Sequence, residues 1–119
     1  MFLCSNVYMI KKCIFCKIIK KEIPSDIVFE SKDIIAFYDI HPKAKIHILI
    51  LPKKHIVSVK HLKEKDKELI GKIILTAQKI ARKKKLKGYK LIINVGSQGG
   101  QLIPHLHLHL LSGKLVGFP

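Results

Sequence analysis

Three histidines stand two residues apart near the end of the chain, His105, His107 and His109, each followed by leucine. Imidazole has an unperturbed pKa near neutrality, and either ring nitrogen can carry the proton, so it serves as nucleophile, acid or base at physiological pH. Strict alternation with leucine reads as a β-strand with one imidazole face and one aliphatic face. At about 3.3 Å of rise per residue, neighbouring rings stand about 6.6 Å apart and the outer pair about 13 Å apart along the strand. One metal ion does not easily hold all three, whereas separate rungs suit separate roles of positioning, attack and proton delivery. An inert histidine strand is the weaker reading, because each buried imidazole would need its own partner.

Other residue types add to this chemistry. The stretch Gly96-Ser97-Gln98-Gly99-Gly100 leads into the histidines. Glycine accepts positive φ and has no side chain, so such a loop lets backbone N–H groups approach a phosphate, with Asn94 and Gln101 as flanking amide donors. Asp39 ends an apolar run; a carboxylate there can accept hydrogen bonds from both vicinal hydroxyls of a ribose, or act as a plain turn former. Cys13 and Cys16 form C-x-x-C, which is ambiguous between metal and redox chemistry. A redox pair belongs at a helix start beside a thioredoxin-like βαβ unit, and that pattern is lacking.

The elements that must position these groups follow from periodicity. Ile14, Phe15, Ile18 and Ile19 have the three-and-four spacing of a short amphipathic helix, stopped by Pro24. Val28–Glu30 and Ile34–Tyr38 read as a hairpin turning at Ser31 to Asp33. His47-Ile48-Leu49-Ile50-Leu51-Pro52 is apolar nearly throughout, as expected of a central strand covered on both faces. Leu69, Ile70, Ile73, Ile74, Ala77, Ile80 and Ala81 fall on one stripe of a helix from about Glu64 to Leu86, with Gly88 as C-terminal cap and Arg82 to Lys85 favourably placed at its C-terminal end. Tyr89–Val95 is the strand before the glycine loop.

A chain of 119 residues builds one domain with one core. Its 23 Lys and Arg against 8 Asp and Glu, a formal charge of +15, point to anionic partners. The basic residues are nearly all lysine and the leading apolar type is isoleucine, a skew that a biased coding genome produces, and no aromatic-interleaved basic patch of the single-strand-binding kind is present. Nucleic acid is therefore not the expected partner. Three cysteines suit a reducing compartment rather than a disulfide framework. Met1 to Ile10 is apolar but too short to span a membrane, and it lacks a basic start and cleavage site; a cytoplasmic location without membrane contact is expected.

The segment Gly99-Gly100-Gln101-Leu102-Ile103-Pro104-His105-Leu106-His107-Leu108-His109-Leu110-Leu111 resembles the signature of the histidine triad (HIT) superfamily of nucleotide hydrolases and transferases. Cys13-Ile14-Phe15-Cys16-Lys17-Ile18-Ile19, Ala36-Phe37-Tyr38-Asp39-Ile40 and His47-Ile48-Leu49-Ile50-Leu51-Pro52-Lys53-Lys54-His55 resemble its Hint branch, in the same order. The resemblance implies an α+β HIT-like fold: an antiparallel sheet of about five strands, one long and one short helix, and a two-fold dimer with joined sheets. Residues 13–119 would form the HIT domain, and 1–12 an N-terminal extension, poorly ordered in part, with Met9 as the natural start.

It also implies roles. His107 attacks the α-phosphorus of a purine nucleoside phosphoramidate, aminoacyl-adenylate or dinucleoside polyphosphate, giving a nucleotidyl-histidine that water resolves to an AMP-type product. The other nitrogen of His107 would be held by a backbone carbonyl of a neighbouring strand. His109 contacts phosphate oxygens or delivers a proton, and His47 is a fourth imidazole beside the triad. Phe15, Ile18, Ile23, Phe37, Asp39 and Ile40 would line the nucleoside site, and Asn94, Gly100, Gln101 and Leu102 the phosphate site. Leu102 stands where many such proteins carry Ser or Thr, which puts leaving-group preference in doubt, and Phe118 falls where an aromatic reaches a partner's site. Some bacterial members hold a structural zinc with residues matching Cys13, Cys16, His55 and His105, and no catalytic metal is required. The competing readings are a non-catalytic nucleotide or nucleic-acid binding module, and a zinc protein whose histidines are all ligands.

Overall fold

The computed structural model describes residues 13–115. The N-terminal extension and Phe118 lie outside them. The elements run α1 (Ile14–Ile19), β1 (Ile27–Glu30), β2 (Ile34–Tyr38), β3 (Ile46–Pro52), α2 (Lys67–Lys83), β4 (Lys90–Ile92) and β5 (Leu108–Ser112). All pairings are antiparallel, and the five strands take the order β1-β2-β3-β5-β4. The expected α+β sheet is thus present.

Residue parity decides what each face does. On β2, β3 and the segment into β5 the even residues Ile34, Ala36, Ile48, Ile50, Leu106, Leu108 and Leu110 pack in one cluster with Ile73, Ala77 and Ile80 of α2. The odd residues Ile35, Phe37, Leu49 and Leu51 pack instead with Cys13, Phe15, Cys16 and Ile18 of the α1 segment. Both faces of the central strands are covered, which is why β3 is apolar without alternation and buried from His47 to Pro52. Successive side chains point to opposite faces, so Asp39, His47, His105, His107 and His109 all belong to the α1 side.

Several boundaries differ from the sequence reading. Neither helix stops where expected. Helix α1 closes with Lys21 at φ 64°, Lys21 N–H donating to Ile18 O and Glu22 N–H to Lys17 O, and α2 closes with Lys85 at φ 57°, Lys85 N–H donating to Arg82 O and Leu86 N–H to Ala81 O. Both are Schellman ends with lysine in the left-handed position usually held by glycine; Pro24 and Gly88 lie beyond them. Helix α2 is also preceded by a 3-10 turn, Glu64–Asp66. Its Ile74 is 41% exposed, while Thr76 is buried, satisfying its hydroxyl on Lys72 O at 2.7 Å. Strand β4 is three residues long rather than seven. On β1, Val28 is an extra residue in the ladder to β2, a bulge between Ile27 and Phe29.

Candidate active site and metal cluster

Only His109 of the triad lies in a strand ladder, opposite Leu49; His107 precedes β5 outside the ladder, and His105 lies in a bend. The alternation nevertheless continues through them, because Leu106 N–H donates to Ile56 O at 2.7 Å and its side chain stays in the α2 core. All three imidazoles are buried, as is His47. The rings come closer than their rungs, with centroids of His107 and His109 at 4.8 Å and of His47 and His109 at 5.1 Å.

Hydrogen bonds determine which nitrogen of each ring is protonated. His107 Nδ1 lies 2.7 Å from His105 O, and a carbonyl only accepts, so Nδ1 carries the proton and Nε2 keeps a free lone pair. The acceptor is two residues back on the same segment, not on a neighbouring strand as expected, because the chain has not yet entered the ladder there. His47 Nδ1 accepts the Lys43 amide at 3.0 Å, so its proton is on Nε2, 2.9 Å from His109 Nδ1. His109 must then carry its proton on Nε2. The relay runs from the Lys43 amide through His47 to His109, and it leaves a lone pair on His107 and an N–H on His109 side by side.

Asp39 touches this relay, with Oδ2 at 3.5 Å from His47 Nε2 and Oδ1 accepting the His41 amide at 2.8 Å. The atoms of Asp39, His47 and His109 are close enough for a metal ion. However, His47 presents a proton rather than a lone pair to that spot, which favours the relay over metal binding.

Burial holds the imidazoles neutral. Desolvation is the largest effect on His107 and lowers its pKa against the support of the His105 carbonyl. Desolvation likewise pushes His109 down to about 3, helped by repulsion from His107 and His47, and it lowers His47 against the attraction of Asp39. A neutral His107 is what a nucleophile requires.

Phe15 of α1 sets its ring edgewise on His107 at 5.0 Å, on His105 at 6.0 Å and on Phe37 at 5.6 Å. Phe15, Ile18 and Phe37 are buried and Ile23 is partly buried in the same cluster. Ile40 and Leu102, by contrast, are 79% and 91% exposed.

The glycine loop is closed by hydrogen bonds of its own. Gly99 and Gly100 N–H groups donate to Gly96 O and Ser97 O, and Gln101 N–H to Gly96 O. The Gln101 side chain is occupied too: Nε2 donates to Val57 O at 2.6 Å and Ile103 O at 3.0 Å, while Oε1 accepts Gly96 N–H at 2.9 Å. Asn94 Nδ2 donates to Gly99 O at 2.8 Å. These hydrogen bonds hold the loop in shape, since a loop this tight closes its own turn. Gly96 at φ 71° and Gly100 at φ 86° permit that closure.

Beside the triad lies a second cluster. Cys13 Sγ, Cys16 Sγ, His55 Nδ1 and His105 Nδ1 are buried and close enough to hold a metal ion together. His105 Nδ1 is 3.5 and 3.6 Å from the two sulfurs and 3.1 Å from His55 Nδ1, which is 3.1 Å from Cys16 Sγ. Tetrahedral bonds of about 2.0–2.3 Å imply ligand separations of about 3.3–3.8 Å, so the set fits such an ion with little movement. His105 Nε2 lies 2.8 Å from Pro52 O, which puts its proton there and turns the Nδ1 lone pair inward. Hydrogen bonding between the two sulfurs lowers the pKa of Cys13 and raises that of Cys16.

Sequence reasoning brought together His47, His107 and His109, and separately the four-residue cluster. It missed Lys43, whose amide fixes the His47 tautomer, and the carbonyls of His105 and Pro52. Only the turn-forming Pro42 before Lys43 hints at the first of these.

The sheet order, the odd-face imidazoles and the thiol–imidazole cluster under α1 together define a class: a small antiparallel-sheet protein with nucleophile-type histidines at its centre. A family model described as scavenger mRNA decapping enzyme C-terminal binding matches residues 12–117. The chain is 42% identical over 112 residues to an HIT-like protein of Synechococcus elongatus, covering 93% of this chain and 98% of that protein. It is similar to an HIT family hydrolase from Legionella pneumophila at TM-score 0.85 and 47% identity, over 91% of this chain and 98% of that one. It is also similar to a histidine triad protein from Clostridium difficile at TM-score 0.83 and 43% identity, over 90% and 93%. The chain belongs to the histidine triad superfamily and is like that family's hydrolases. No helix among the described residues is long and apolar enough to cross a membrane.

Proposed function

We propose that the protein hydrolyses or transfers purine nucleotides of the Hint type, acting at the α-phosphorus of phosphoramidates, aminoacyl-adenylates or dinucleoside polyphosphates. The observation that carries this is the pair of opposed tautomers: a buried, neutral His107 with its lone pair on Nε2, next to a His109 with its proton on Nε2. His107 Nε2 attacks phosphorus and the leaving group departs with the bonding pair. The imidazole becomes cationic, its Nδ1 proton still held by His105 O, and the His109 N–H stabilises charge on the phosphoryl oxygens. Water then displaces the histidine, which recovers its lone pair; the hydroxyl ends on phosphorus and the remaining proton on the leaving group.

Asp39 Oδ2 retains lone pairs for a ribose hydroxyl while Oδ1 forms the turn to His41. Phe15, Ile18, Ile23, Phe37 and the exposed Ile40 are assigned to the side where a base would lie, and Asn94, Gly100, Gln101 and Leu102 to the phosphate side. The four-residue cluster is read as a structural zinc site. Bound there, zinc supplies no step of the reaction but ties α1, which carries Phe15, to the His105 segment whose carbonyl orients His107. A homodimer with joined sheets and a cytoplasmic location complete the reading.

Turnover of an adenosine phosphoramidate, an aminoacyl-adenylate and a diadenosine polyphosphate by wild type and His107→Ala tests it. Loss of several orders of magnitude with unchanged melting is expected, because the covalent route is removed. A variant retaining more than about a tenth of the wild-type rate refutes it.

A further inference from the structure

A cavity of about 550 Å³ opens on the far side of the sheet from the triad, between the β1–β2 hairpin and the last turns of α2. Its floor is apolar: Ile27 and Val28 of β1, the Tyr38 ring, and the buried Ile80. Its rim is cationic. Lys79 and Lys83 stand one helical turn apart on α2, and Lys84 donates to Tyr38 Oη with its ammonium 5.0 Å from the ring centre.

The cavity follows from local sequence. The bulge at Val28 bends β1 and increases its twist. Facing it, the last turns of α2 supply lysines where apolar side chains would close the core, so the floor stays open. Its size is within the ordinary range for small-molecule sites, about 300–1,000 Å³.

The lining selects the ligand. Three ammonium groups above an apolar floor complement a small anion with an apolar body. Inorganic phosphate would leave the floor wet, and a neutral apolar molecule would leave the lysines without a counter-charge. A flat base is less well served, since Lys84 already sits over the Tyr38 ring. We propose that this cavity binds a small amphipathic anion, an aliphatic chain ending in a carboxylate or phosphate head, with the chain on Ile27, Val28 and Ile80 and the head between Lys79 and Lys83.

Titration of the full chain with decanoate, decyl phosphate, decanol and inorganic phosphate, followed by calorimetry and by NMR shift mapping, tests this. Saturable one-to-one binding of decanoate or decyl phosphate, with shifts at Ile27, Tyr38 and Ile80, is expected, and the tighter of the two identifies the head. Affinity should fall about tenfold or more in Lys79→Glu/Lys83→Glu, because a charged contact is lost at each position. Both residues are exposed, so melting should be unchanged, and His107→Ala should bind as wild type does. The proposal is overturned if decanol or inorganic phosphate binds as well as decanoate, if the double variant keeps wild-type affinity, or if the shifts map to the triad face. Binding only to phosphatidylglycerol vesicles, with none to the soluble amphiphiles, also overturns it and makes the lysines a membrane-surface patch.

Discussion

Replacing His47 tests the tautomer relay without touching the nucleophile. In His47→Leu the 2.9 Å contact to His109 Nδ1 is lost and the Lys43 amide loses its acceptor. A buried acceptor left without a donor costs about 1–3 kcal/mol. His109 can escape that cost only by moving its proton to Nδ1, which turns a lone pair toward the phosphoryl oxygens and removes a preorganised donor. Loss of one such donor lowers kcat about 10²–10³-fold. His47→Gln restores an N–H donor at nearly the same reach and should recover most of the rate. The two variants are compared by kcat on an adenosine phosphoramidate, and the proton on His109 is located by ¹⁵N NMR, which is independent of turnover. Wild-type kcat in His47→Leu, with His109 still protonated on Nε2, would refute the reasoning, since that proton would then owe nothing to His47.

Other expectations concern the metal cluster, the helix end and pH. Protein purified without a His tag should contain about one zinc per chain, and Cys16→Ser should lower both zinc content and melting temperature; stable, metal-free wild type would exclude the zinc reading. Lys85→Gly relieves a left-handed φ of 57° that costs a non-glycine residue about 1–2 kcal/mol, part of which is returned as unfolded-state entropy. A rise of several degrees in Tm is expected, and an unchanged or lower Tm contradicts the Schellman end. His109 has a folded pKa of about 3 against an ordinary 6.5, so the unfolded chain binds more protons between those values. Its contribution to stability is complete above pH 6.5 and is lost as pH falls toward 3. An NMR titration placing its midpoint between about 6 and 7 would falsify the burial argument.

The sheet's division of labour was legible because strand side chains alternate strictly. Alternation alone puts His105, His107 and His109 on one face and Leu106, Leu108 and Leu110 on the other, whereas the placing of Asp39 and His47 on the imidazole face depends on the register that sets Phe37 opposite Leu49 and Leu49 opposite His109. What was not legible depends on backbone groups, which every residue carries and which leave no compositional trace. The His105 carbonyl orients His107, the Pro52 carbonyl turns His105 toward the cysteines, and the Lys43 amide sets the relay; any residue type would have offered the same carbonyls, and any but proline the same amide. Helix ends failed for a related reason: lysine in the left-handed position at Lys21 and Lys85 costs energy that the two closing hydrogen bonds offset locally. The same parity carries a consequence for coupling. Tyr38 and Asp39 are consecutive, so one rings the cationic cavity under α2 while the other touches His47 on the opposite face. A ligand seated against the Tyr38 ring therefore acts on the residue next to Asp39, and any change in nucleotide affinity on filling the cavity should disappear in Asp39→Asn while cavity binding itself persists.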